Sequence, residues 1–253
     1  MTIRTTTLEG VATIEIARPE KKNALTQAMY LAMAGAITAA VKDTTVRALL
    51  ITGQPGIFTA GNDLEDFLSA PPLAAGSPTT QFMQALLTCD KPVVAAVTGA
   101  AIGIGATMLL HCDLVYLSDQ ARLVFPFVTL GVVPEFGSSL LLPRLMGHAR
   151  AAEKLLLAEP ISAEAAVALG IATAVLPSGD VLAHAGRMAK RFNALPPGAV
   201  RDTKRLMRAG TAAGISGAME AEGALFTERL RSPEAREALQ AFFEKRKPDF
   251  SRT

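Results

Sequence analysis

The chain has 253 residues and a net charge of +2, with half of its residues hydrophobic and 19% charged. That composition excludes a disordered chain, and so small a net charge gives no overall attraction to nucleic acid. Two cysteines, Cys89 and Cys112, lack the spacing of a disulfide framework or a metal knuckle, which fits a reducing compartment.

The segment Met1-Thr2-Ile3-Arg4-Thr5 has no apolar run of the kind a secretion signal carries, and no stretch of eighteen continuous apolar residues follows. A cytoplasmic protein without a membrane span is expected. Thr13-Ile14-Glu15-Ile16 alternates as a strand does, and Arg18-Pro19 stops it. Thr26 can cap a helix whose apolar stripe is Met29, Met33, Ile37 and Val41, each four residues apart. Val46 to Thr52 reads as a short strand ending at Gly53. Residues 54–64 read as a turn into a helix, with Asp63 at its N-terminal end. Ala70 to Thr80, rich in Pro, Gly, Ser and Ala, reads as a mobile loop, and Gln81 to Thr88 as a helix.

Val93 to Val97 is an apolar run that feeds Gly99-Ala-Ala-Ile-Gly-Ile-Gly-Ala-Thr107. We read strand, glycine-rich turn and helix start. Gly103 and Gly105 leave the local N–H groups uncovered, and a helix N-terminus adds free donors and a positive dipole end. Such a place can hold a phosphate or an enolate oxygen. Further on, Leu114 to Leu117 reads as a strand. Leu140 to Met146 and Ala149 to Leu157 read as helices, as does a segment opened by Ser162 and ended near Gly170. Ala174 to Leu176 is a last short strand, and helical pattern prevails from Val181 onward. Alternating strands and helices over the first 180 or so residues argue an α/β fold. Pro196-Pro197 marks a boundary between a core, 1–195, and a helical C-terminal part, 196–253.

Several chemistries are excluded. The glycine stretch lacks the third glycine and the acidic partner of a dinucleotide site, and no Gly-Lys-Ser/Thr follows a glycine loop. Gly137-Ser138-Ser139 is not a nucleophile elbow. His111, Cys112 and Asp113 are consecutive, so one regular element cannot aim all three at a metal. The basic clusters Lys21-Lys22-Asn23 and Lys245-Arg246-Lys247 read as solvated faces, and no nucleic-acid partner is expected. Glu135 stands between Val132-Val133-Pro134 and Phe136. Loss of solvation there would raise its proton affinity and make it a base for a carbon acid. Equally, it could be a hydrated cap of the helix that begins near Ser138. Both readings stand on the residues alone.

Four stretches in order resemble the enoyl-CoA hydratase/isomerase (crotonase) superfamily: Ala17–Leu25, Phe58–Leu64, Lys91–Gly105 and Ala241–Phe250. The resemblance implies a spiral of ββα units with a C-terminal helical trimerisation region, assembled as a homotrimer or a dimer of trimers. It implies an acyl-CoA thioester substrate and no cofactor or metal, the CoA being part of the substrate. The backbone N–H groups of Asn62 and Ile104 would form an oxyanion hole. Lys22, Ala24, Ala60, Asp63 and Leu64 would meet the CoA, as would Phe226 and Lys245, at a neighbouring subunit's site. The two places where hydratases of the family carry glutamates hold Thr107 and Phe127 here. Glu135 matches the lone catalytic glutamate of Δ3,Δ2-enoyl-CoA isomerases, with Phe127, Val132 and Phe136 as acyl-pocket walls. The expected activity is that isomerisation. A hydratase or other crotonase reaction, and a non-catalytic thioester-binding subunit, are the alternatives.

Overall fold

A computed structural model describes residues 2–69 and 73–252. The elements run β1 (Ile3–Leu8), β2 (Val11–Ile16), α1 (Gln27–Lys42), β3 (Ala48–Thr52), β4 (Gly56–Thr59), α2 (Leu64–Ser69), α3 (Pro78–Thr88), β5 (Val93–Val97), β6 (Gly99–Ile102) and α4 (Ile104–Thr107). They continue β7 (Leu114–Ser118), β8 (Arg122–Val124), α5 (Ser138–Met146), α6 (His148–Leu156), β9 (Ile161–Ser162), α7 (Ala163–Ala168), β10 (Ala174–Leu176), α8 (Val181–Lys190), α9 (Pro197–Arg229) and α10 (Pro233–Phe243).

The described strands form a six-stranded sheet, β1-β2-β3-β5-β7-β10, and a four-stranded sheet, β4-β6-β8-β9. The pairs β3/β4, β5/β6 and β7/β8 each place one strand in the first sheet and the next in the second. Helices follow each pair, so the chain winds as the expected ββα spiral. Within the first sheet every pairing from β2 to β10 is parallel. Parallel strands are buried on both faces and read as unbroken apolar runs, as β3 and β5 do. Leu49, Ile51, Val93, Ala95 and Val97 face the main core. Ala48, Leu50, Val94 and Ala96 face the opposite way, onto Val181, Ala185 and Ala189 of α8.

The stripe on α1 holds. Thr26 Oγ1 accepts from Met29 N–H at 3.3 Å, and Met29, Met33 and Ile37 are buried while Val41 is half-buried. Three sequence expectations change. Gly56–Thr59, expected as part of a turn, is strand β4. Gly99–Ile102, expected as a turn, is strand β6, sandwiched between β4 and β8. These four-residue strands, with small side chains at their key positions, offer no period long enough to read. The loop expected over Ala70–Thr80 falls in part outside the described residues. At its far end Ser77 Oγ accepts from Thr80 N–H, and α3 begins at Pro78, one turn earlier than the apolar pattern. No helix among the described residues is long and apolar enough to cross a membrane.

Helix α9 has 33 residues, about 50 Å of chain, and is pinned to the sheets near its start. Lys204, 7% exposed, donates to Asp113 Oδ2 and to the Lys91 carbonyl, each at 2.6 Å. Asp113 Oδ2 also accepts from Val93 N–H at 2.7 Å, so the ion pair grips the first residue of β5. Removing Lys204 leaves Asp113 with only the longer Arg208 contact at 3.5 Å and the Lys91 carbonyl without this donor. Lys204→Ala is expected to lower unfolding stability by about 3 kcal/mol. In a chain of this size that is a fall of roughly 6–12 °C in Tm, read by thermal denaturation.

Candidate active site

Strands β4 and β6 run parallel, so both end on the same side of the second sheet. The chain leaves β4 through Ala60–Asp63 and leaves β6 through Gly103 into α4. The two exits touch: Gly61, at φ +90°, packs so tightly that a Cβ there would lie 2.9 Å from the Ile102 carbonyl oxygen. Gly103 takes φ +57° and ψ −120°, a conformation other residues avoid, and its N–H donates to Val124 O at 2.9 Å.

Asn62 forms a bridge with Leu25. Leu25 N–H donates to Gly61 O, and Asp63 N–H donates to Leu25 O. Alternate residues of an extended chain point opposite ways, so the Asn62 N–H turns from Leu25. Ile104 is the first residue of α4, where the amide has no partner within the helix. Among the described residues no carbonyl accepts from either N–H. The Asn62 side chain is fixed separately, its Oδ1 accepting from the Tyr30 hydroxyl at 2.5 Å. Burial, then the Glu135 and Asp66 carboxylates, push the Tyr30 ionisation well above the usual phenol range, so it stays a donor.

Glu135 arrives from a third direction. After β8 the chain makes a 3-10 turn, Val128–Leu130, and reverses at Gly131. Phe136 (φ +57°) and Gly137 (φ +72°) are both left-handed, a costly pairing for a phenylalanine that sharply redirects the chain into α5. The Phe136 ring stacks on His111 with centroids 3.9 Å apart, and its carbonyl lies 2.7 Å from His111 Nε2. Burial lowers the His111 pKa to about 4, so the ring is neutral, and facing a carbonyl its Nε2–H must be the donor.

The Glu135 side chain is 1% exposed. Thr107 Oγ1 donates to Oε1 at 3.3 Å, and Oε2 has no hydrogen-bond partner among the described residues. Burial, and after it the Glu222 carboxylate, raise the pKa to about 8, while the Thr107 bond pulls it down. Of the two sequence readings, the hydrated cap is therefore wrong. The turn beyond Glu135 runs through left-handed Phe136 and Gly137, and Phe136 is itself 1% exposed. Phe127, Val132 and Phe136 are buried in the same core.

Thr107 lies one turn after Ile104, and Tyr30 joins Asn62 to the same surroundings. The structure so gathers Asn62, Ile104, Thr107, Tyr30 and Glu135. Lys22, Ala24, Ala60, Asp63 and Leu64 form an adjoining group. Ala60 N–H donates to Lys22 O at 3.0 Å, and Arg18 Nη1 joins Ala24 O at 3.0 Å to Asp63 Oδ2 at 2.6 Å. Asp63 Oδ1 caps α2, which begins at Leu64, by accepting from Glu65 and Asp66 N–H. Phe226 is 2% exposed and packs in this chain's main core, whereas Lys245 is exposed beyond α10. Sequence reasoning missed Tyr30 and Glu222. Tyr30 could have been found, since it sits beside the Met29/Met33 stripe where a phenol must bury its tip. Glu222 gave no local signal, because its partners lie 83 and 85 residues away.

Residues 6–253 match the family model described as enoyl-CoA hydratase/isomerase. The chain belongs to the enoyl-CoA hydratase/isomerase family. It is 32% identical over 243 residues to the 2,3-dehydroadipyl-CoA hydratase of Escherichia coli (strain K12), covering 96% of this chain and 95% of that protein. It is 35% identical over 214 residues to the Homo sapiens enoyl-CoA delta isomerase 2, covering 82% of this chain and 54% of that one. The solved structure of Pseudomonas aeruginosa OdaA superposes with a TM-score of 0.93 at 52% identity, covering 95% of this chain and 98% of that chain. As a member of this family the protein is an acyl-CoA enzyme with the crotonase fold, and its relatives include hydratases and isomerases alike.

The contact between the two loops gives a test. Gly61→Ala puts a methyl against the Ile102 carbonyl in a backbone conformation that L-residues resist. A loss of about 1–3 kcal/mol in stability is expected. If the loops after β4 and β6 form the acyl-CoA site, binding measured by calorimetry should weaken at least tenfold, each tenfold being about 1.4 kcal/mol.

Proposed function

We propose that the protein is a Δ3,Δ2-enoyl-CoA isomerase. The observation that carries this reading is Glu135: one carboxyl group buried among apolar side chains, with one oxygen unpartnered among the described residues. The thioester oxygen lies between the N–H groups of Asn62 and Ile104, which hold the negative charge that develops on it. Donors of this kind are worth about 3–4 kcal/mol each in acyl-transfer enzymes. Glu135, ionised, removes a proton from C2. The electron pair delocalises through the C3=C4 bond into a dienolate. The protonated Glu135 returns the proton at C4, leaving the double bond between C2 and C3. One proton leaves and one returns, and no water is consumed.

Hydration asks for more. A water must be oriented at C3 and a proton delivered to C2 by groups placed for each task. Thr107 supplies only a hydroxyl, which is engaged with Glu135, and Phe127 supplies an apolar ring. A proton affinity well above that of an exposed carboxylate suits Glu135 to a weak carbon acid, and the apolar surroundings keep competing water out. No group other than the substrate's own CoA is needed for this chemistry. The same reading includes a homotrimer or dimer of trimers built through the 196–253 region. Leu206 and Met207 on α9 and Phe242 on α10 are large apolar side chains that one chain leaves exposed.

Glu135→Gln is expected to lower conversion of 3-enoyl-CoA to 2-enoyl-CoA by at least about 10³-fold, with thioester binding retained within a few-fold. Unchanged turnover removes Glu135 from the mechanism, and rapid hydration of 2-enoyl-CoA by the native enzyme favours the hydratase alternative. The pH dependence carries a sign. Below about 8 the free enzyme holds Glu135 neutral, unable to accept a proton. The value of kcat/KM should therefore rise tenfold per pH unit on the acid side and level off above about 8.

A further inference from the structure

Glu222 lies on α9 and is 6% exposed, yet no step above uses it. Its Oε2 accepts from Gly137 N–H at 2.7 Å. Its Oε1 accepts from Ser139 N–H at 2.9 Å and from the Ser139 hydroxyl at 2.5 Å. One carboxylate thus spans the start of α5 with charge-assisted bonds, taking amides that a helix leaves unpaired. The residues it grips lie two and four positions after Glu135. Ser138 binds back to the Glu135 carbonyl through its N–H at 3.1 Å and its hydroxyl at 2.6 Å. Ile215 and Met219, on the same helix, pack beside Gly137.

We propose that Glu222 is a positioning residue for Glu135, clamping the turn that carries the base and facing it as a second negative charge. The groups around Glu135 come from several elements. Thr107 of α4 offers a hydroxyl and Tyr30 of α1 a phenol that stays neutral. His111 lies behind Phe136 as a neutral imidazole, and Asp66 of α2 acts on Tyr30. Among these, Glu222 is the anion that acts on Glu135, second only to burial. Two consequences separate. The hydrogen bonds fix where the carboxyl points, which governs kcat. The charge makes Glu135 hold its proton, which governs the pH at which the base becomes available.

The inference rests on the isomerase reading for its kinetic arm alone, because the coupling exists in the free enzyme. Full-length protein carrying glutamate labelled with carbon-13 at the carboxyl is titrated by NMR, the Glu135 signal being assigned by its loss in Glu135→Gln. In Glu222→Gln, similar in shape but uncharged, the Glu135 midpoint should move down by at least about half a pH unit. Glu222→Asp keeps the charge but falls one methylene short. Its midpoint should stay near the native value while kcat for a 3-enoyl-CoA falls about tenfold with KM little changed. A native midpoint in folded Glu222→Gln, or native kcat in Glu222→Asp, overturns the proposal. If Glu222→Gln fails to fold, the aspartate variant alone decides. Should the native enzyme not isomerise 3-enoyl-CoA, the isomerase reading fails while the NMR arm still judges Glu222.

Discussion

A carboxyl group taken out of water and left short of hydrogen bonds is among the costlier things a folded chain can contain. Glu135 is such a group, and much of the architecture on this side of the molecule serves to keep it there. Two successive left-handed residues aim the chain inward, the His111 imidazole holds the Phe136 carbonyl, and Ser138 closes back on the Glu135 main chain. None of these contacts offers the carboxyl full compensation. Among the described residues only Thr107 donates a hydrogen bond to it, at 3.3 Å. The group answers by holding its proton to about pH 8. An environment that merely stabilised the protein would replace such a residue with an apolar one.

The two-sheet spiral explains how so distant a set of residues meets. Each turn of the spiral places one strand in each sheet, and the parallel strands of the smaller sheet all discharge their loops on one side. The loop after β4 brings Asn62, the exit from β6 brings Ile104 and Thr107, and the longer excursion after β8 brings Glu135. Helix α1 adds Tyr30 from above the Asn62 loop. Strand ends set where Asn62 and Ile104 leave the sheet, whereas Glu135 is held by the contacts of its own turn with His111, Ser138 and Glu222. Helix α9 completes the arrangement, anchored by Lys204 to Asp113 and by Glu222 to the turn beyond Glu135.

The sequence was most legible where one signal was long or singular. The stripe of Met29, Met33 and Ile37, the apolar runs of β3 and β5, and the capping side chains of Thr26 and Asp63 all did in the structure what their spacing and chemistry imply. It was least legible in β4 and β6, whose four residues each are held by neighbours far along the chain. Glu135 lay between: its apolar neighbours allowed either a hydrated or a buried carboxyl. What buried it was the packing of Phe136 on His111 and of α9 on Gly137, contacts that no local window contains.

By itself, then, the order of residues determined an alternating α/β chain, the family to which its four motifs point, and which side chains had the chemistry for a carbon-acid reaction. The tertiary structure alone decided that Glu135 is dry, that the Thr107 hydroxyl hydrogen-bonds to it, and that Tyr30 and Glu222 belong to its surroundings. The reason is one of range. Periodicity and capping arise from neighbours within a few residues, whereas desolvation and the sharing of donors depend on whichever distant segments fold against the group.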